Sequence, residues 1–391
     1  MGNKQSTASN QGNKLECQSS TLVNTVQLNL LAKLAEIDGN LSKSTFFSPL
    51  SIYTCLVLLA EGLSGASKKE LIEFLHLQSD PQTDSLVPED LSSVLKAFLC
   101  SESKTFSMAN SLWLAEGLDL VEAYAERVST IHNAKIDSIP MNDTGKAKIN
   151  NWVKERTDGL IKKFLEKLEA DTLLVIINAI FFKGTWKETF DVSLSRTMDF
   201  HASEGSDGAI NLMFMKKEFK TRYLETKGNQ LVCLPFNEDG IVFVASMPRK
   251  GNIYDPLSTL RVSEVQDAPS APLTLVELEM PKFKFEKKYD IKAVLKAMGV
   301  QEIFTQNGND DFSGIFGDGD ASVSEVIQKA VIELDEKGAK AASATAVMVA
   351  KSRKVKKPKK VKLTLDRPFG FFLMDEASRV ILFAGVYRGP E

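Results

Sequence analysis

Histidine is scarce in this chain: His76, His132 and His201 are the only three among 391 residues. Proton transfer near neutral pH relies on histidine more than on any other side chain. His76 falls in Phe74-Leu-His-Leu77, which reads as a packed helix residue and not as a base. There is no G-x-S-x-G elbow, no P-loop and no H-E-x-x-H. Asn307-Gly-Asn-Asp-Asp311 has the acidity of a calcium loop, but Phe312 stands at the sixth position, where such a loop needs glycine. An enzyme is not expected, and neither is a metal or a cofactor.

Cysteine is nearly as sparse. Cys17, Cys55, Cys100 and Cys233 are scattered without C-x-x-C pairing, so neither a zinc site nor a disulfide framework is indicated. Cys55 and Cys233 lie in apolar runs and read as small buried hydrophobes. No run of about 20 apolar residues is present, so no transmembrane segment is expected. The start, Met1-Gly-Asn-Lys-Gln-Ser-Thr, has no apolar signal core. It matches Met-Gly-x-x-x-Ser/Thr, the N-myristoylation pattern, at Gly2. Two N-x-S/T acceptors, Asn40 and Asn142, matter only if the chain is secreted. An extracellular and a cytoplasmic location both stay open. The net charge of −3 excludes a whole-protein nucleic-acid binder.

What the chain has is a sizeable apolar fraction, 43%, ample for a large core. Residues 1–19 are polar and read as a flexible N-terminal segment. Thr21 to Ile37 carries apolar residues at helical spacing, with Ser20 or Thr21 as cap. Further helices are expected at Ser48–Leu59, Ser67–Leu77, Glu89–Phe98, Lys146–Leu168 (broken at Asp158-Gly159) and Tyr289–Met298. Phe106–Leu114 alternates as a strand, and Thr172–Phe182 is the continuous apolar run of a central strand. Shorter strands are expected at Thr221–Leu224, Leu231–Pro235, Ile241–Met247, Leu273–Met280, Val361–Leu365, Phe369–Met374 and Val380–Val386. Helices first and strands later, without regular alternation, give an α+β fold, with residues 20–391 as one domain and a monomer as the expected state.

One stretch, Val331 to Ala350, organises the rest. It begins as a strand, Ile332 and Leu334 alternating with Glu333 and Asp335, and reaches a pivot at Gly338. Small residues follow, from Ala339 to Ala346. They are compatible with a helix. At period 2 they put Ala339, Ala341, Ser343, Thr345 and Val347 on one buryable face, with Lys340 on the other. Then comes Lys351-Ser-Arg-Lys-Val-Lys-Lys-Pro-Lys-Lys360, basic and proline-containing, which reads as exposed loop. A bare basic run of this kind is also compatible with a solvated linker.

Glu336-Lys-Gly-Ala-Lys-Ala-Ala-Ser-Ala-Thr345 resembles the hinge of inhibitory serpins, the serine protease inhibitor family. Phe46-Phe-Ser-Pro-Leu-Ser-Ile52, Asn178-Ala-Ile-Phe-Phe-Lys-Gly-Thr-Trp186, Met280-Pro-Lys-Phe-Lys284, Asp366-Arg-Pro-Phe-Gly370 and Phe383-Ala-Gly-Val-Tyr-Arg-Gly-Pro390 carry the same resemblance in the same order. The resemblance is to the ovalbumin-like members, which lack a cleaved signal and occur inside and outside cells. It implies three β-sheets, eight or nine helices and an exposed reactive-centre loop over about residues 337–362. It also implies a suicide-substrate mechanism: a serine protease cuts the loop, and the hinge residues Glu336, Gly338, Ala339, Ala341, Ala342, Ser343, Ala344 and Thr345 feed a new strand into the central sheet, trapping the acyl-enzyme.

By the same resemblance Ser48, Ser51, Asn178 and Gln328 belong to the polar shutter beneath that sheet. Many serpins have histidine where this chain has Gln328, and glutamine cannot gain charge near neutral pH. Trp186 belongs to the breach, where the loop first enters, and Lys282 pairs with Glu336. Read from the residues alone, Ser48 is a helix cap, Asn178 an ordinary strand hydrogen bonder and Trp186 core. Family spacing counted from Glu336 places the scissile bond at Ser352–Arg353; Lys351 and Arg353 flank it and suggest a trypsin-like target, while Val349 or Ala350 would suit an elastase-like one. Counting back from Pro368 gives a point near Lys357 instead. The basic residues Lys354, Lys356, Lys357, Lys359 and Lys360 would suit a heparin-like polyanion. A non-inhibitory carrier is the alternative, against which the small hinge residues argue.

Overall fold

The computed structural model describes residues 6–39, 42–77, 106–118, 120–132, 134–203, 209–237, 240–305, 310–317, 321–338 and 360–390. Eight α-helices and fourteen strands fall among these residues. The helix expected at Glu89–Phe98 lies outside them, as do Gly2, Asn40 and the hinge and loop positions Ala339, Ala341, Ala342, Ser343, Ala344, Thr345, Lys351, Ser352, Arg353, Lys354, Lys356, Lys357 and Lys359.

Helix α1 runs Ser6–Gly39, so Ser20 and Thr21 sit inside it and do not cap it. No proline interrupts residues 6–19, and the local sequence offers no stop. Helix α2 (Pro49–Gly62) is almost wholly buried, with Ser48 as N-cap and a proline at its first turn, where the missing N–H costs nothing. Helix α3 (Gly65–Leu75) ends at His76, which takes the left-handed conformation at φ 53° and is exposed, not packed. Helix α4 spans Glu122–His132 and α5 Asp143–Arg156. The expected helix to Leu168 stops at Arg156, because Asp158 and Gly159 both take positive φ. The chain beyond is pinned to α5 by Asn150, whose Oδ1 accepts from Phe164 N and Leu165 N at 2.9 and 2.8 Å.

A five-stranded sheet carries the site. Its order is β10-β11-β4-β2-β3, with β2 Phe106–Ala115, β3 Lys135–Ile139, β4 Leu174–Phe182, β10 Phe283–Asp290 and β11 Glu325–Leu334. Every residue of β4 is buried, since both faces of the sheet are covered. One face, including Ile176, Ile180 and Phe182, joins the main core with α2. The other, including Val175 and Ile177, packs under α5 with Trp113, Trp152 and Phe164. Strand β10 alternates, Phe283 and Phe285 inward against Lys284 and Glu286 outward. That is how a sheet edge is kept from pairing with other chains.

The remaining strands form one nine-stranded sheet: β1 (Thr45–Phe47), β5 (Arg196–His201), β6 (Ala209–Glu225), β7 (Asn229–Pro235), β8 (Ile241–Pro248), β9 (Leu273–Pro281), β12 (Lys360–Thr364), β13 (Phe369–Asp375) and β14 (Ile381–Tyr387). Three separate sheets are expected from the family, but hydrogen bonding among the described residues traces two. The reason is β6, a 17-residue strand that pairs with β9 and β5 along one part and with β7 at its end, so that two sheets run on as one. Short helices α6 (Val262–Asp267), α7 (Ile291–Ala297) and α8 (Ser313–Phe316) complete the fold. No helix among the described residues is long and apolar enough to cross a membrane.

Candidate functional site at a sheet seam

Strands β4 and β11 are parallel neighbours, in register from Glu325↔Val175 to Val331↔Phe181. Beyond Val331 they diverge: Ile332, Glu333 and Leu334 keep their partners on β10 but have none on β4. A polar row crosses this seam. Asn110, Asn178, Gln328 and Tyr289 are register partners across β2, β4, β11 and β10. The first three are buried to 3% exposure or less, so each polar atom must find a protein partner.

They find them beneath the N-terminus of α2. Gln328 Oε1 accepts from Ser48 N at 2.8 Å, and its Nε2 donates to Ser48 O at 2.9 Å and to Asn178 Oδ1 at 2.7 Å. Asn178 Nδ2 donates to Asn110 Oδ1 at 2.5 Å and to Ser51 Oγ. Asn110 Nδ2 donates to Thr54 Oγ1 at 3.1 Å, and Ser48 Oγ to Leu382 O at 2.6 Å. Ser48, Ser51, Asn178 and Gln328 thus meet in one network, and Ser48 is also the cap that its local sequence suggests. Asn110 and Thr54 were not anticipated. A signal existed: Asn110 interrupts the apolar face Met108, Leu112, Leu114 at one position.

The Gln328–Asn178 bond spans the seam, so the network sets how readily β4 and β11 part. Asn178→Ala leaves several buried groups short of a partner, at about 1–3 kcal/mol each. We expect a loss of about 2–4 kcal/mol in total, read as a lowered thermal midpoint, with no change in any pH dependence because nothing in the cluster titrates.

At the open end of the seam, β11 finishes in a turn. Asp335 N donates to Gly338 O at 3.1 Å, and Asp335 Oδ1 accepts from Lys337 N at 2.8 Å. Gly338 has φ 122°, and a Cβ there would lie 2.5 Å from Gly184 O and 2.6 Å from Trp186 N. Only glycine fits, on both counts. Trp186 closes the gap: its Nε1 donates to Asp335 O at 2.8 Å and its N to Lys337 O at 2.9 Å, while its ring stacks on Phe236 at 4.5 Å.

Glu336, 5% exposed, is fixed by Lys282 Nζ at 2.6 Å and by the Ser195 hydroxyl at 2.5 Å. Burial pushes this carboxyl upward, but the Lys282 ammonium and the Ser195 hydroxyl outweigh it and the net shift is downward. Ser195 is a partner the sequence did not disclose. Cys55 and Cys233 are buried free thiols, as expected, and burial raises Cys55 to about 12. Asn142 caps α5, its Oδ1 accepting from Thr144 N at 2.8 Å.

Strand β12 runs parallel to β9. Lys360 opens that strand, where its ammonium pairs with Glu218 at 2.7 Å and with Glu277. Lys360 is therefore engaged by carboxylates and is not a free member of the basic run. Glu279, with a fully buried side chain, accepts from Arg196 at 2.7 Å and from Thr364 Oγ1 at 3.1 Å. Lys216 and Lys360 hold Glu277 down, from the usual 4.5 to about 2. A depressed folded-state value means stability fully present above 4.5 and lost as pH falls toward 2. The protection factors of the Val361 and Leu363 amides, corrected for intrinsic exchange, should therefore fall across that window, and Lys360→Met should weaken the dependence.

A family model described as Serpin (serine protease inhibitor) matches residues 21–390, and the chain belongs to that family. Protease inhibition is the activity for which the family is described. A curated "Serine protease inhibitor" of Cyanea capillata is 30% identical over 358 residues, covering 89% of this chain and 93% of its own length. Native protease nexin-1, solved with heparin, superposes with a TM-score of 0.82 at 22% identity, covering 96% of this chain and all of that one. Human thyroxine-binding globulin complexed with thyroxine gives 0.83 at 22% identity, over 95% and 98% of the two chains. Both structures share the fold seen here.

Proposed function

We propose that the protein is a suicide-substrate inhibitor of a serine protease, with a trypsin-like target cleaving around Ser352–Arg353, after Lys351 or Arg353. The observation that carries this reading is the placement of Gly338. The bridge between Thr185 and Gly338 holds Gly338 at the open end of the β4–β11 seam. A chain reversing there would enter between two parallel strands and run antiparallel to both. Ala339, Ala341, Ser343, Thr345 and Val347 would turn toward the core, and small side chains there avoid overpacking. Protease attack forms the acyl-enzyme, the freed hinge inserts, and the enzyme is carried along before deacylation.

The test is incubation of the full chain with trypsin-like, elastase-like and chymotrypsin-like proteases, followed by a denaturing gel. A covalent band at the summed mass with a trypsin-like enzyme supports the reading. Loop cleavage by every enzyme without such a band would replace it with the carrier alternative. As a further element of this proposal, Lys354, Lys356, Lys357 and Lys359 bind a heparin-like polyanion by charge. Their joint alanine substitution should cut heparin retention and flatten its salt dependence. Lys360→Ala alone should change little, because Glu218 and Glu277 already balance that charge.

A further inference from the structure

Strand β6 changes neighbours at Arg222. Up to that residue it pairs with β9, Arg222 facing Leu273; from it onward it pairs with β7, Arg222 facing Cys233. Two strands that leave a common partner in this way diverge, and a cavity of about 200 Å³ opens in the fork. Its apolar lining is Phe219, Leu234, Val242 and Leu273, together with the buried Trp186. Leu273 is 53% exposed, a large apolar side chain left facing this opening. An apolar cavity of roughly 150 Å³ is enough to take benzene, so one or two fused rings fit here.

The rim is charged, and unevenly. Lys187, Lys220 and Arg222 stand around the opening together with Glu188 and Glu376. Glu188 is paired with Lys217 at 3.4 Å. Among the described residues no carboxylate pairs with Lys187, Lys220 or Arg222; the one guanidinium bond of Arg222 goes to Ala271 O at 3.1 Å, a neutral carbonyl. Three cations against the single carboxylate of Glu376 leave a net positive mouth over an apolar pocket. Cys233 in the wall is held protonated by burial, so no covalent chemistry is involved.

We infer that this fork is a binding site for a small aromatic carboxylate, its ring between Phe219, Leu234 and Leu273 and its anion at Arg222 and Lys220. Binding here does not depend on protease inhibition, and the experiment reads binding alone. Naphthalene-2-carboxylate is titrated into the full chain by calorimetry, beside the neutral naphthalene-2-carboxamide. The carboxylate should bind one-to-one and at least ten-fold more tightly than the carboxamide. Arg222→Glu should weaken the carboxylate at least ten-fold and the carboxamide less than two-fold. Lys220→Glu, at an exposed position, repeats that selectivity with less risk to the fold, and Leu273→Glu should weaken both ligands. Absence of saturable binding, or equal affinity for the two ligands, overturns the proposal. So does saturable binding that neither Arg222→Glu nor Lys220→Glu alters, since the ligand would then sit elsewhere.

Discussion

Under the proposed mechanism Ala341→Arg is expected to turn the protein into a plain substrate: at least a hundred-fold fewer covalent complexes per cleavage, with the native fold retained. Ala341 lies on the face that insertion turns toward the core, two residues beyond Ala339. The core side of the seam is lined by Ile180 and Phe182 of β4 and by Ala330 and Ile332 of β11, all of them buried. An arginine brought there has no carboxylate to meet, and a buried unpaired charge costs several kcal/mol. A hundred-fold change needs only about 2.7 kcal/mol in the partition between insertion and deacylation. In the proposed mechanism this side chain enters the sheet only after cleavage, so the thermal midpoint of the uncleaved protein should match wild type within a degree or two. Ala342→Arg is the control, because its side chain faces the other way at period 2. Equal complex yields for all three proteins at the same protease ratio would exclude insertion of this segment in this register.

The parts of the fold that were legible in sequence are those where burial is one-sided or total. The unbroken apolar run of β4 and the wholly buried α2 need no partner to be recognised. Strand β10 alternates cleanly but is not among the expected strands, and the helix expected over Tyr289–Met298 begins only at Ile291, after Asp290 caps it. Most of β6 was missed as well. Lys216 and Lys217 look like loop until Glu277, Glu279 and Glu188 are seen beside them, and those pairs exist only once β9 and the turn after β4 are in place. Charge neutralised across strands leaves no trace in a local pattern.

The site divides along the same line. Ser48, Ser51, Asn178 and Gln328 were reached through the family resemblance, and the register brings them into one network. Nothing in residue spacing places Asn110 opposite Asn178, or Ser195 within reach of Glu336; both contacts join segments far apart in the chain. Gly338 was read as a pivot for its backbone freedom. The structure adds the closer constraint, the absence of room for a Cβ beside Gly184 and Trp186.

Cleavage near Arg353 should raise the thermal midpoint by some tens of degrees, whereas a nick in an ordinary exposed loop leaves stability equal or lower. Under the proposed mechanism insertion would add Ala339 to Val349, about eleven residues, to the five-stranded sheet. Ordering them costs about 1–2 kcal/mol each, and their backbone hydrogen bonds return about 0.5–1.5 kcal/mol each, so these two terms nearly cancel. The surplus has two other sources. The inward side chains are buried against the core, at about 25 cal/mol per Å² of apolar surface. The sheet also exchanges one parallel ladder, Glu325–Val331 against Val175–Phe181, for two antiparallel ladders with straighter hydrogen bonds. The seam network must first open, so the Gln328–Asn178 bond is broken on the way and Asn178→Ala should insert faster than wild type. Differential scanning calorimetry before and after limited proteolysis, with the mass of the released C-terminal fragment locating the cut, measures the change. An unchanged or lower midpoint in the nicked protein would mean that the loop stays outside the sheet, and the inhibitory mechanism would fall with it.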